Sequence, residues 1–297
     1  MTYSEIWHRI ATSYDDGEAR AIARILIEEL FGLSYADIVC GATEQLSADD
    51  TLRLDTAVRR IEQGEPLQHV LGYADFCGNR FSVNSSVLIP RPETEWLVDE
   101  GAKLMSTTAT SSPKRILDIG TGSGCIAISL KLRLGDAYVE AWDISEEALR
   151  TAQDNADALK AEVVFRKRDA LRADNTAAPW DLIVSNPPYI CDSERSAMDD
   201  NVLLHEPHTA LFVPDDDPLR FYRAIARYAL LTLNIGGSLL FECNTRYAEA
   251  TGTMLRDMGF EEVTVSDDCF GLPRFVRGRK NSPSQPSPSG RAWLPKA

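Results

Sequence analysis

Ile116-Leu117-Asp118-Ile119-Gly120-Thr121-Gly122-Ser123-Gly124 reads as an apolar strand running into a glycine-rich turn. The strand covers Arg115–Gly120, and a helix follows from about Gly124. Glycines at such a turn allow a tight reversal and a close approach of ligand to backbone. In open α/β sheets ligands bind beyond the carboxyl ends of the strands. The spacing here is G-x-G-x-G, not the dinucleotide G-x-G-x-x-G, and no G-K-[ST] follows for a nucleoside triphosphate. A tight connection that holds no ligand is the plain alternative.

Outward from this turn, strands alternate with helices. Tyr138–Asp143 is a second strand, with Ser145 capping the next helix. Glu162–Lys167, Asp181–Asn186 and Ser238–Cys243 continue the series, and Val263–Asp267 with Pro273–Arg277 closes it as an antiparallel pair. This pattern predicts an α/β fold with a seven-stranded, mostly parallel sheet covered on both faces. Asp143 ends the strand after the glycine turn, where a carboxylate can accept both hydrogen bonds of a ribose diol. An acid near a helix start is common, but paired with the turn it points to an adenosine-like ligand. The glycine spacing favours S-adenosylmethionine over NAD, by association with the fold.

Asn186-Pro187-Pro188-Tyr189 stands at the end of the Asp181 strand. Each proline fixes its own φ, donates no amide hydrogen and restrains the residue before it. Asn186 and the Pro187 carbonyl are therefore two stiff acceptors at the sheet edge that carries the glycine turn. A rigid turn after a strand is the bland reading. The chemistry that needs such a pair is alkylation of a planar –NH2 nitrogen, whose lone pair is delocalised. Two acceptors orient that nitrogen and stabilise the positive charge that develops on it. Fixing it against a sulfonium methyl recovers the entropy of association, about 7–11 kcal/mol at best. Tyr189 can stack on the planar group or face the cation.

Before the sheet, residues 1–75 read as a helical bundle. Ile22, Ile25, Leu26 and Leu30 recur at helical spacing with Gly32 as the stop, and a second helix runs from Ser47 through Leu54, Val58 and Ile61 to Gly64. Residues 76–95 read as a β-hairpin and linker. Its strands are Phe81-Ser82-Val83 and Val87-Leu88-Ile89 around Asn84-Ser85-Ser86, and Pro92 then opens a helix. The catalytic domain is expected over 96–280. Residues 281–297, rich in Ser and Pro, are expected to be a disordered tail.

Together these motifs resemble the release factor glutamine methyltransferases, the PrmC/HemK family, over nearly all of residues 15–280. The resemblance includes Arg59-Arg60 through Gly64-Glu65-Pro66, the specific run Leu88-Ile89-Pro90-Arg91-Pro92-Glu93-Thr94-Glu95, and Glu206-Pro207-His208-Thr209-Ala210-Leu211. It implies a Rossmann-like class I methyltransferase that methylates the side-chain amide of the glutamine in the Gly-Gly-Gln loop of class I peptide chain release factors, in translation termination. It implies a cofactor site at Asp118, Gly120, Thr121, Gly122, Ser123, Gly124, Asp143, Ala170 and Asn186. Catalysis falls to Asn186, Pro187 and Tyr189, with Pro188 joining them against the substrate, and the N-terminal helices help dock the release factor. The sequence departs from the family at Ala170, where an aromatic is frequent after the acid, at Val213–Pro218, and at His69, where tyrosine is common.

Composition bounds the rest. The chain has 297 residues, 31 Lys+Arg against 45 Asp+Glu, a formal charge of −14 and 44% hydrophobic residues. Cys269 onward carries six Lys or Arg and no Asp or Glu, so the acidity belongs to the preceding body. Such a body is a poor duplex-binding surface, which weighs against direct nucleic-acid binding and against the main rival, an adenine amino-group methyltransferase. A non-catalytic adenosine-binding module is the third reading. The six cysteines are scattered and the N-terminus lacks a signal-peptide pattern, which predicts a reduced, cytoplasmic protein with no membrane partner. His205 and His208 flank Pro207 and read as a solvated loop rather than a metal site.

Overall fold

A computed structural model describes residues 1–107, 113–173 and 179–281. Five helices come first: α1 (Tyr3–Ile10), α2 (Asp16–Phe31), α3 (Tyr35–Val39), α4 (Ala48–Glu62) and α5 (Leu67–Leu71). Their starts follow from local chemistry. The Asp15 carboxylate accepts from the Gly17 and Glu18 amides ahead of α2, and Ser47 accepts from the Asp50 amide ahead of α4. Gly32 ends α2 at φ 66°, a left-handed conformation that costs glycine nothing. The buried stripe of α2 is Ile22, Ala23, Leu26 and Ile27; Ile25 and Leu30 stand half-buried at its margins. It packs on Leu54, Val58 and Ile61 of α4, and each fully buried aliphatic there contributes about 1.5–3 kcal/mol.

The β-hairpin lies earlier than the sequence suggests. Its strands are β1 (Tyr73–Phe76) and β2 (Asn79–Ser82), turning at Cys77 and Gly78 with φ of 49° and 73°. Two consecutive left-handed residues make the turn type that matches strand twist, and glycine at the second position makes it cheap. Val87–Ile89 is not a strand. Asn84 instead turns inward, accepting from the Ser86 amide at 2.8 Å and donating to Thr151 at 3.0 Å, and Val87 and Ile89 bury beside Ala148.

The sheet-bearing part begins with α6 (Glu95–Thr107), entered through a 3-10 turn at Pro92–Thr94. Then come β3 (Arg115–Ile119), α7 (Cys125–Leu134), β4 (Tyr138–Asp143), α8 (Glu146–Leu159), β5 (Val163–Lys167) and β6 (Trp180–Ser185). A small excursion follows: β7 (Ile190–Cys191), α9 (Asp200–His205), α10 (His208–Leu211) and β8 (Phe212–Val213), with β7 and β8 paired in parallel. The chain closes with α11 (Arg220–Thr232), β9 (Leu233–Glu242), α12 (Ala248–Asp257), β10 (Phe260–Asp267) and β11 (Pro273–Lys280). The expected disordered tail lies outside the described residues from 282 onward.

Seven strands form one sheet in the order β10-β11-β9-β6-β3-β4-β5. Strands β9, β6, β3, β4 and β5 are parallel, and β11 is antiparallel to both β9 and β10. Both faces are buried, which is why the strands read as apolar runs rather than alternations. On one face Ile116, Val139, Leu182 and Leu240 meet α6, α7 and α8. On the other Leu117, Trp142, Ile183 and Phe241 meet α11 and α12. The strand order reverses between β3 and β6, and a crevice opens beyond their carboxyl ends at such a point.

Candidate active site

The glycine turn joins β3 to α7 at that crevice. Gly120, Gly122 and Gly124 have φ of 78°, 54° and 82°, a conformation that a side chain would strain. The Gly120 and Thr121 amides both donate to the Trp142 carbonyl at 2.9 Å, tying the turn to the end of β4. Gly120 is exposed, and a Cβ on Gly122 would meet nothing within 4 Å. Gly124 differs: a Cβ there would lie 2.9 Å from Ile128 Cδ1 and 3.1 Å from Ala152 Cβ, so this glycine lets α7 pack against α8. The loop thus has an open rim at Gly120 and Gly122 and a packed root at Ser123 and Gly124.

Two acids underlie the rim. Asp118 is fully buried, and Thr121 Oγ1 donates to its carboxylate at 2.6 Å. Burial pushes its carboxyl up to about 7, with the nearby Asp143 charge adding to the shift. Asp143 accepts from the Gly122 amide at 2.9 Å and from the Ser145 amide at 2.9 Å. Burial raises its pKa too, opposed by those amides. A carboxylate offers about four acceptor directions, so Asp143 keeps capacity for a diol after both amides are satisfied. An open glycine rim over two acids fits a ligand that carries a ribose and a positive charge.

Asn186 follows β6, next to β3. A Cβ on Gly120 would sit 4.0 Å from the Asn186 carbonyl oxygen, so the turn and the Asn-Pro-Pro-Tyr segment face each other across the crevice. Ser185 anchors this approach by donating to the Ile119 carbonyl at 2.6 Å. Pro187 is buried, and Asn186, Pro188 and Tyr189 are half-buried. The Tyr189 amide donates to the Leu211 carbonyl, which seats the segment on the β7–β8 excursion. The Tyr189 hydroxyl reaches Glu242 Oε1 at 3.3 Å, and burial raises its pKa. Ala170 stands on another element. It opens a 3-10 turn after β5, capped by Asp169, and packs against the cluster containing Trp142.

Four further residues join the site without having been singled out for it in the sequence. Thr94 Oγ1 donates to Glu242 Oε2 at 2.7 Å and faces Asn186 Nδ2 at 3.4 Å. Glu242 is buried at the end of β9, and burial pushes its carboxyl up while Thr94, Arg274 and Tyr189 pull it down. Glu206 is buried as well, pairing with Arg91 at 2.5 Å and accepting from the Ile89 amide at 3.2 Å. The signal for Glu242 was a lone charge closing an apolar strand, and for Thr94 its place inside the Leu88–Glu95 run. A cleft of about 840 Å³ lined by Lys131, Tyr138, Lys160 and Glu162 lies at the opposite, amino-terminal edge of the sheet, away from all these groups.

Comparison with known proteins agrees with this geometry. The family model described as methyltransferase small domain matches residues 95–211, and the PrmC N-terminal domain matches residues 8–72. The release factor glutamine methyltransferase of Bacteroides thetaiotaomicron is 44% identical over 268 residues, covering 90% of this chain and 95% of its own. That of Flavobacterium psychrophilum is 38% identical over 272 residues, covering 90% and 94%. Among solved structures, the hMettl16 catalytic domain in complex with MAT2A 3'UTR hairpin 6 superposes with a TM-score of 0.53 at 18% identity, over 79% of this chain and 82% of that one. That likeness is one of fold.

Proposed function

The chain belongs to the release factor glutamine methyltransferases, and from that membership we propose how its residues divide the work. The reaction is methylation of the side-chain amide nitrogen of a release factor glutamine, with S-adenosyl-L-methionine as cofactor. The juxtaposition of Asn186 with the glycine rim at the switch point is the observation that carries the assignment of roles.

Gly120, Thr121, Gly122, Ser123 and Gly124 form the cofactor cradle, Gly120 and Gly122 by contact and the other three by holding its shape. Asp143 receives the ribose, and Asp118 supplies negative charge beneath the methionine part. S-adenosyl-L-methionine brings a methyl group on a sulfonium. Asn186 Oδ1 and the Pro187 carbonyl accept the two N–H bonds of the substrate amide, aim its nitrogen and favour the charge it acquires. Tyr189 packs against the amide plane, with Pro188 fixing its approach. The product nitrogen is acidic once alkylated, so it releases its proton to water and no basic side chain is required. Ala170 has no ring to offer the adenine, which leaves only an edge contact.

We assign residues 1–75 to docking of the release factor, 76–95 to a connecting hairpin and linker, and 96–280 to catalysis. The substrates are class I factors presenting a Gly-Gly-Gln loop, met in the cytoplasm. No helix among the described residues is long and apolar enough to cross a membrane, and the acidic body disfavours direct nucleic-acid binding. Purified protein, cofactor and release factor should give a mass increase of one methyl on that glutamine. Label appearing on adenine-containing oligonucleotides and not on the release factor would overturn the reading.

A further inference from the structure

The buried carboxylate of Glu242 stands where a charge is expensive unless every lone pair is used. Its Oε2 accepts from Thr94 at 2.7 Å and its Oε1 from Tyr189 at 3.3 Å, while its main-chain carbonyl accepts from the Tyr222 hydroxyl at 3.3 Å. All three groups are hydroxyls, and each has one hydrogen to give. The direction of these bonds has a consequence one residue further on. Thr94 spends its only hydrogen on Glu242, so toward Asn186 it can only accept. The Asn186 group that faces Thr94 at 3.4 Å must then be its –NH2. The side-chain oxygen of Asn186 is left pointing away from Thr94.

We propose that Glu242, acting through Thr94, is a positioning device that fixes which way the Asn186 amide faces, so that an acceptor and not a donor meets the substrate nitrogen. The two ends of an asparagine amide are nearly isosteric, and packing alone discriminates weakly between them. A flipped Asn186 would set –NH2 against the –NH2 of the glutamine, leaving two donors without an acceptor. The relay removes that state before substrate arrives. It also explains why Thr94 of the Leu88–Glu95 run lies buried against the end of β9 rather than on the surface. The same carboxylate holds the Tyr189 hydroxyl, so one group sets both the acceptor and the aromatic wall. This proposal rests on Asn186 receiving the substrate amide.

Thr94→Val removes the hydroxyl at nearly constant shape, and Thr94→Ser keeps it. Glu242→Gln replaces an acceptor-only group with one that can also donate. For Thr94→Val and Glu242→Gln, the kcat for release factor methylation should fall about tenfold or more, while the KM for the release factor and the calorimetric Kd for S-adenosyl-L-methionine stay within about twofold. Thr94→Ser should recover kcat to within about threefold of wild type. A Thr94→Val enzyme with wild-type kcat overturns the proposal. So does a loss that appears equally in Thr94→Ser, or one that appears in KM and cofactor Kd rather than in kcat. Thr94→Val carries the test by itself if Glu242→Gln does not fold. Wild-type protein that fails to methylate release factor would refute the proposed function instead, since every arm here is read against an active parent.

Discussion

Asp118 shows how a single buried acid couples stability to pH. Its folded-state pKa of about 7 lies above the ordinary carboxyl value of 3.8, with burial the main cause. The native state therefore holds this proton more tightly than the unfolded chain. The stability it contributes is complete below the unfolded value and is lost as pH rises through about 7. Asp118→Asn, which never ionises, should gain roughly 2–3 kcal/mol on wild type between pH 5 and pH 8, given about 1.4 kcal/mol per pKa unit. Urea titrations at the two pH values measure this. The same substitution should weaken binding of the cationic cofactor at pH 8. Asn186 is the opposite case, a residue whose loss concerns chemistry and not folding. Asn186→Ala should cut kcat by about 10²-fold or more with the calorimetric cofactor Kd little changed. Near-normal turnover would remove Asn186 from the mechanism.

At the scale of elements, the glycine turn works because α7 and α8 hold its root. Asn155 on α8 donates to the Ser82 and Ser123 carbonyls at 3.0 and 2.9 Å and accepts from the Ser82 amide at 2.7 Å, joining β2, α8 and the turn. Gly124 completes the fit by leaving room for Ile128 and Ala152. Gly124→Ala meets both a 2.9 Å contact and a φ of 82°. It should cost about 1–3 kcal/mol in chemical denaturation, whereas Gly122→Ala, with open space before it, should cost only the strain of its positive φ. The motif Leu88–Glu95 is likewise an element that joins others. Ile89 and Arg91 bind Glu206, Thr94 binds Glu242, and Glu95 accepts the Cys77 amide at 2.6 Å. Within eight residues this run binds three different parts of the fold: Glu206 after α9, Glu242 at the end of β9 and the hairpin turn at Cys77.

At the scale of the molecule, the N-terminal helices meet the sheet-bearing part near buried His69 and half-buried His205. His69 of α5 feels Glu206, Glu65, His205 and Arg60, and a Cβ on Gly64 would lie 3.9 Å from His205 Nε2. Burial lowers the His69 pKa below 6.5, outweighing the two glutamates. The unfolded chain therefore binds this proton at a pH where the native one does not. Stability from His69 is present above about pH 6.5 and is lost as pH falls through the depressed folded value. His69→Tyr should flatten the fall in Tm below about pH 6.5 without changing it at pH 8. A series of melting curves across that range decides it.

The sequence alone determined the strand–helix alternation, the seven strands, the glycine turn and the rigid Asn-Pro-Pro-Tyr, because these depend on local periodicity, φ restrictions and capping. It misplaced the hairpin, since Val87-Leu88-Ile89 carries strand composition while Asn84 spends its side chain on Thr151 of a distant helix. Only the tertiary structure decided that Glu242, 148 residues from Thr94, closes the chain of hydrogen bonds that reaches Asn186. Such a contact has no local signature. Strand order brings β9 beside β6, which neighbours β3, and the direction in which hydroxyls give their single hydrogens to a buried carboxylate becomes defined only when those strand ends share one edge.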